Sequence, residues 1–373
     1  MELIINMSII CIVTLLLMQY MRFPNSQPNT ISHATWSYHF LLILCFAFTL
    51  FFVSAFRVGF QDTGVYKNLY TSIGTDLSNA LDDNFIIKDK GFNVFMVLLN
   101  RLNTEPQTLI IVSSAIIIGA YIYVICKYSS DLPFSLLLML CLSFIATMNG
   151  IRQIIAVAIT LLGWSFLQKK QIIPFLIIAF LASTFHASAI FLVPLSLIII
   201  GKRYNKGIWF FVLFILFFFV FPNTAFKIMG SILEDSVYEK YLENDSKMGI
   251  MRLIVECVPL SLSLLYHRAT SNNKLSNDNN SVHRKLIDML MNMQIISVGF
   301  LALGLQMVYF SRLCLYFSLV SPLLLPEVIP CIFTKRSAHL VKRLAIIMYL
   351  IYFAYQIYTY EMIDNWGGME LIF

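Results

Sequence analysis

The sequence predicts an all-α, polytopic integral membrane protein with about twelve transmembrane helices. Three observations predict it. Apolar residues make up 59% of the 373 and charged residues only 12%. Mean hydropathy is +0.78. Apolar runs of nearly membrane-crossing length recur along the chain, and Lys and Arg gather in the short connections between them. An average soluble domain is about 45–50% apolar and about 25% charged. A soluble fold of this length has too little charge here to cover its surface. An ordinary soluble enzyme, a disordered chain and a collagen-like fibre are therefore excluded.

The runs that justify the prediction are 3–20, 39–56, 107–126, 132–148, 151–167, 172–185, 187–200, 208–229, 249–266, 286–309, 313–333 and 344–360. A helix needs about 20 apolar residues to cross the hydrocarbon core. The runs 172–185 and 187–200 are short for that, and read as re-entrant or as sharing the turn between them. No internal repeat is visible. The whole chain, 1–373, reads as one transmembrane domain.

Charge then orients it. Lys and Arg fall in the connections 21–38, 127–131, 168–171, 201–207, 267–285 and 334–343, where Asp131 and Asp278 are the only acids. Basic loops stay in the cytoplasm. The large loops 57–106 and 230–248 hold more acids than bases and should face outward, with both termini outside. The polar, Asn/Ser-rich stretch 267–285 reads as a cytoplasmic loop. The 3–20 run is not expected to be a cleaved signal, because Glu2 precedes it and Arg22 follows it. The net charge of +6 is spread over loops rather than clustered, so no nucleic-acid partner is expected. The seven Cys are odd in number and form no CxxC, which supports neither a disulfide framework nor zinc.

Candidate chemistry collects at predicted outer ends of spans. Arg57 follows the second span, with Asp62 and Tyr66 just beyond it. Arg152 lies in the first turn of the fifth span, after Asn149-Gly150 and before Gln153. A cation there opposes the helix dipole, while exposed backbone N–H groups favour an anion. A central intramembrane Arg costs about 2.5–3.5 kcal/mol on insertion scales, less near the interface. His186 sits at a turn between two apolar runs, beside Ser183, Thr184 and Ser188. Its titration near neutrality suits a proton acceptor. Arg312 begins the eleventh span. Several guanidinium groups on one face suit a diphosphate. The plainer reading of each Arg is a snorkelling side chain. Lys88, Lys90 and Arg101 read as a solvated loop. Arg252 and Glu256 are four apart and can pair on one helix face, and Glu327 fits a proline-kinked helix end. Neither a P-loop, GxSxG, HExxH nor Asp-x-Asp occurs, so neither a metal nor another cofactor is expected.

These residues carry a resemblance. Phe56-Arg57-Val58-Gly59 with Asp62 and Tyr66, then Lys90-Gly91-Phe92, resembles the outer loop of the EpsG family. Met148-Asn149-Gly150-Ile151-Arg152-Gln153, followed by Lys169-Lys170 and Phe185-His186-Ala187-Ser188, resembles that family's most characteristic stretch. Arg312 before Leu313 and Tyr316 fits a later Arg element loosely. The likeness is good over roughly residues 50–200. Lys90 departs from it, since an acidic residue is expected before Gly-Phe.

The resemblance implies a glycosyltransferase C-type fold and a Wzy-type polymerase of capsule, exopolysaccharide or O-antigen. Such an enzyme joins undecaprenyl-diphosphate-linked oligosaccharide repeats at the outer face of the bacterial cytoplasmic membrane, amid membrane lipid. A flippase and a chain-length regulator are the expected protein partners. Arg57, Arg152 and Arg312 would meet the leaving diphosphate, and Asp62 or His186 would take the acceptor proton. Tyr66, Asn149, Gln153 and Ser188 are the candidates for binding substrate. A lipid-linked oligosaccharide flippase or transporter, an O-antigen ligase, a membrane acyltransferase and a structural assembly protein stay open as alternatives.

Overall fold

The computed structural model describes residues 11–16, 33–82, 85, 87–221, 224, 248–272 and 282–363. The described residues are helical, with no strand among them. In chain order the helices are α1 (His33–Ala55), α2 (Thr63–Ile73), α3 (Leu77–Leu81), α4 (Lys90–Leu102), α5 (Gln107–Tyr128), α6 (Leu132–Met139), α7 (Ile151–Leu162), α8 (Trp164–Gln168), α9 (Ile172–Phe185), α10 (Leu192–Ile199), α11 (Lys206–Val220), α12 (Ile250–Asn272), α13 (Val282–Gly304), α14 (Val308–Leu313), α15 (Val320–Ile332) and α16 (Lys335–Ile363).

Where they are described, all twelve predicted runs contain helix. Of the 3–20 run only 11–16 is described, and the 230–247 part of the second outer loop lies outside the described residues. Among the described residues four helices are long and apolar enough to cross a membrane: Gln107–Tyr128, Ile250–Thr270, His283–Gly304 and Lys335–Thr359. A fifth crossing is counted if Val308–Phe317 and Val320–Ile332, bent by 60°, form one span. The remaining predicted spans correspond to apolar helices of 10–17 residues. The reason is local. Gly163 separates α7 from α8, and His186 ends α9 before a 3-10 turn, Ala187–Phe191. Composition registers an apolar run without registering such breaks. Trp209, Phe210, Leu213, Phe214 and Phe217 lie exposed along α11. An apolar stripe of this size on a soluble monomer would aggregate, whereas lipid accepts it.

The chain forms two compact units. The first comprises residues 1–162, 180–189 and 341–373, and the second 163–179 and 190–340. In the first, the predicted outer loop 57–106 is a folded helical layer rather than open chain. Tyr70 donates to the Asn103 carbonyl at 2.6 Å, and Asn100 returns the link by donating to the Tyr70 carbonyl at 2.7 Å. Buried Asn93 donates to the Ile87 carbonyl at 2.8 Å, which fixes the approach to α4. A one-turn π-helix at Leu140–Phe144 continues α6. Such a turn disrupts the regular backbone ladder. Here the Gln356 amide donates to the Cys141 carbonyl at 2.7 Å. Lys342 of α16 pairs with Asp131 at 2.6 Å, closing the opposite end of α6.

In the second unit, α12 and α13 pack along each other and against α15. The helices flanking the polar 267–285 stretch extend into it, to Asn272 and from Val282. Asn205 caps α11 by accepting from Gly207 at 2.9 Å.

Gly91 brings the 57–106 layer close against residues 180–189 of the same unit. At Gly91, in the first turn of α4, an added Cβ would lie 2.1 Å from the Thr184 hydroxyl and 2.9 Å from the Thr184 carbonyl. Gly91→Ala should therefore destabilise by about 1–3 kcal/mol, as overpacking does. Adding Thr184→Ala should restore only part of the loss, because the backbone carbonyl stays in the way. Thermal unfolding in detergent measures both, and full restoration by Thr184→Ala would refute the backbone clash.

Candidate functional site

The Asn149-Gly150 turn at the start of α7 is where the site is built. Gly150 has φ +69°, which a side chain disfavours. Its N–H donates to Asp62 Oδ2 at 2.8 Å. Asn149 donates through Nδ2 to Gln61 Oε1 at 3.0 Å. Two adjacent residues before α2 thus clamp two adjacent residues before α7. The clamp sets the direction in which the first turn of α7 projects Arg152.

The Arg152 guanidinium is held from two sides. Nε donates to the Tyr66 hydroxyl at 3.3 Å, and Nη1 pairs with Asp89 Oδ2 at 2.6 Å. The Arg152 and Asp89 side chains remain 28% and 13% exposed. Asp89 also reaches the 186 turn, where its Oδ1 accepts from the Ala187 N–H at 3.2 Å. One carboxylate therefore joins the 57–106 layer, α7 and the turn after α9. Burial pushes the Asp89 carboxyl upward, and the Arg152 charge opposes the rise. Burial and then the Asp62 charge raise the Tyr66 phenol, so it stays a neutral hydroxyl. Rings of Tyr66, Phe92, Phe95 and Phe185 follow one another at 5.8, 6.2 and 6.0 Å along one side of the pair.

His186 lies beside this pair, with Nδ1 2.7 Å from the Ser188 hydroxyl. The Ser188 backbone N–H also donates to Nδ1, at 3.3 Å. A backbone N–H can only donate, so Nδ1 is the acceptor and the neutral ring carries its proton on Nε2. In this arrangement His186 offers a donor to its surroundings, not a base.

Other predicted residues are placed differently. Arg57 is only 2% exposed. It donates through Nε to Thr63 Oγ1 at 3.0 Å, and through Nη1 to the Ser54 carbonyl and to Ser54 Oγ at 3.1 Å. Its own carbonyl and that of Ala55 accept from Gln107 at 3.3 and 2.7 Å. Burial pulls the Arg57 pKa down to about 10, with Asp62 opposing the shift. This side chain braces the α1–α2 turn and thereby the Asp62 clamp. Gln153 is buried on α7, and Ser188 is buried against His186. Arg312 belongs to the second unit, where its guanidinium lies 5.6 Å from the Tyr309 ring centre. Among the described residues no three His, Cys, Asp or Glu gather in a metal-holding group.

Asp89 is the site residue that sequence reading missed. The expected acid before Gly91-Phe92 stands one position earlier, beyond Lys90, and its partner in sequence is 63 residues away. Lys90 instead donates to the Leu81 carbonyl at 2.7 Å.

The pair should behave as a coupled unit. Asp89→Ala and Arg152→Ala should each lower the melting temperature, and the double variant should lose less than their sum. A coupling of about 0.5–3 kcal/mol is expected for residues in one network. Strict additivity in detergent unfolding would refute the pair as a structural link.

No curated protein and no solved structure matches the chain. The EpsG family model matches residues 40–366, which takes in the outer layer, the Asn149–Gln153 turn and the 185–188 turn. The chain belongs to the EpsG family, and so to a group of membrane proteins of polysaccharide biosynthesis.

Proposed function

We propose that the protein is a Wzy-type polysaccharide polymerase of the bacterial cytoplasmic membrane. In this reading it joins undecaprenyl-diphosphate-linked oligosaccharide repeats at the outer face. It would use a C-type glycosyltransferase architecture with about twelve crossings. The observation that carries the reading is the Arg152 guanidinium, oriented by Tyr66 and Asp89 and still partly exposed, in a chain of this family.

The reaction has a simple balance. A hydroxyl of the acceptor repeat loses its proton and attacks the anomeric carbon of the donor glycan. The bond from that carbon to the phosphate oxygen breaks, and lipid diphosphate departs with the negative charge. Arg152 uses Nε and Nη1 for Tyr66 and Asp89, which assigns Nη2 to the diphosphate. A preoriented guanidinium stabilises developing charge without reorganising during the step. Asp89 takes the proton and passes it to water. Its burial moves it toward the working pH, as suits a general base. Asp62 accepts from the Gly150 N–H and, in this reading, orients the turn that carries Arg152. His186 donates from Nε2 to a sugar or phosphate oxygen, and Asn149, Gln153 and Ser188 shape the sugar site. Arg57 acts through the clamp.

In cells lacking the native gene, Arg152→Ala supplied at normal protein level should yield single repeats and no long polymer. Asp89→Asn should slow elongation by about 10²-fold or more, the scale of a lost general base. Polymer sizing on gels checks both. A normal length distribution with Arg152→Ala would reject the assignment.

A further inference from the structure

The second unit contains a carboxylate that the proposed reaction does not use. Glu256 lies on α12, six residues beyond Ile250, or ~9 Å along the helix axis. Gln294 of α13 donates through Nε2 to Glu256 Oε2 at 3.0 Å and to the Glu256 carbonyl at 3.1 Å. Ser321 donates to the same Oε2 at 2.5 Å and lies 3.0 Å from Gln294 Oε1. Gln294 and Ser321 are 0% and 2% exposed, whereas Glu256 is half-buried.

We infer that Glu256, positioned by Gln294 and Ser321, is a second ligand site, which accepts hydrogen bonds from sugar hydroxyls of a lipid-linked glycan. The inference rests on the polymerase reading for the identity of the glycan, but the site itself is argued from three observations. First, an acid within a membrane-length helix is costly to insert, which makes it a functional group by default. Second, its partners are a neutral amide and a neutral hydroxyl, both on Oε2. A carboxylate has about four acceptor positions. Among the described residues no donor reaches Oε1, so the half-buried carboxylate retains capacity for further donors. Third, Ser321 is the second residue after a 60° bend in the Val308–Ile332 pair. Interrupted helices at membrane depth are tolerated where they are buried in protein or line a cavity, and they form substrate sites in transporters.

A purely structural role fits less well. A helix break frees carbonyls on one side, and a carboxylate cannot satisfy an acceptor. On the other side it would cap backbone N–H groups, yet the bonds to Glu256 come from side chains and Pro322 has no N–H to give. The N–H groups of Gln294 and the O–H of Ser321 are spent on Glu256, so they fix the carboxylate, and its remaining acceptor positions are what meets the O–H donors of a sugar. Arg252 stands four residues before Glu256 on α12, and this spacing puts the two on one helix face.

The test uses the full-length protein in lipid nanodiscs. The donor probe is the lipid-linked repeat purified from a strain lacking this protein. The acceptor probe is the same repeat on a stable alkyl glycoside, which accepts but cannot donate. Glu256→Gln and Ser321→Ala should raise KM for one of the two probes about tenfold while kcat changes little, and the probe affected identifies the glycan bound. Glu256→Asp, which keeps the charge but shortens its reach, should fall between Glu256→Gln and wild type. Binding of radiolabelled repeat without turnover, measured on the monodisperse folded fraction, should weaken in parallel. Unchanged KM for both probes, or a variant that only unfolds earlier while its folded fraction binds normally, overturns the site. If wild-type protein makes no polymer yet binds the repeat in a Glu256-dependent manner, the polymerase reading fails and the glycan site stands.

Discussion

The first unit depends on the ion pair between Arg152 and Asp89. Two loops and a helix that are distant in sequence converge on it, and each supplies a feature the pair requires. The Asn149-Gly150 turn aims α7, the α3–α4 connection delivers Asp89, and the Ala187 N–H holds the carboxylate's second oxygen. An Arg at a helix N-terminus is electrostatically disfavoured. Asp89 offsets that cost directly and keeps the guanidinium in one orientation. Tyr66 is kept a hydroxyl by burial and then by the Asp62 charge, so it orients the guanidinium without competing for its positive charge. A preset guanidinium with neutral surroundings suits an incoming anion better than a cluster of loose cations, which would repel one another in its absence.

Arg57 shows how differently a second Arg can be used. Both follow apolar runs, and both looked like snorkelling or substrate-binding side chains in the sequence. Ser54, Thr63 and Ser114 decide the matter for Arg57 by surrounding it with oxygens. Hydroxyls from α1, α2 and α5 were present in the sequence, but Ser114 lies 57 residues away and nothing local announces it. The Asn149–Gln153 stretch was legible because glycine, amide and cation stand together in five residues. Asp89 was not legible, because an acid in a loop gains meaning only from the partner it meets. Helices in the apolar runs were legible, whereas their lengths and the helices α2, α3 and α4 of the 57–106 loop were not. Breaks at Gly163 and at His186 depend on single residues inside otherwise uniform apolar sequence, and a sum over apolar residues averages them away.

The two carboxylates at issue differ in what holds them, and that difference argues for different chemistry. Asp89 is bound by a cation and a backbone N–H, yet burial still raises its pKa. In the proposed reaction this group takes the proton, and its cation remains behind to meet the negative charge that bond breaking creates. Glu256 is bound by an amide and a hydroxyl on a single oxygen. Neutral donors fix its position without neutralising it, which suits recognition of hydroxyls that must be held and released unchanged. In the proposed polymerase the two would divide the work, Asp89 changing protonation at each cycle and Glu256 holding the glycan without changing. Arg57 braces the fold, whereas in the proposed polymerase Arg152 and Asp89 handle the moving charge and Glu256, placed by Gln294 and Ser321, holds the glycan.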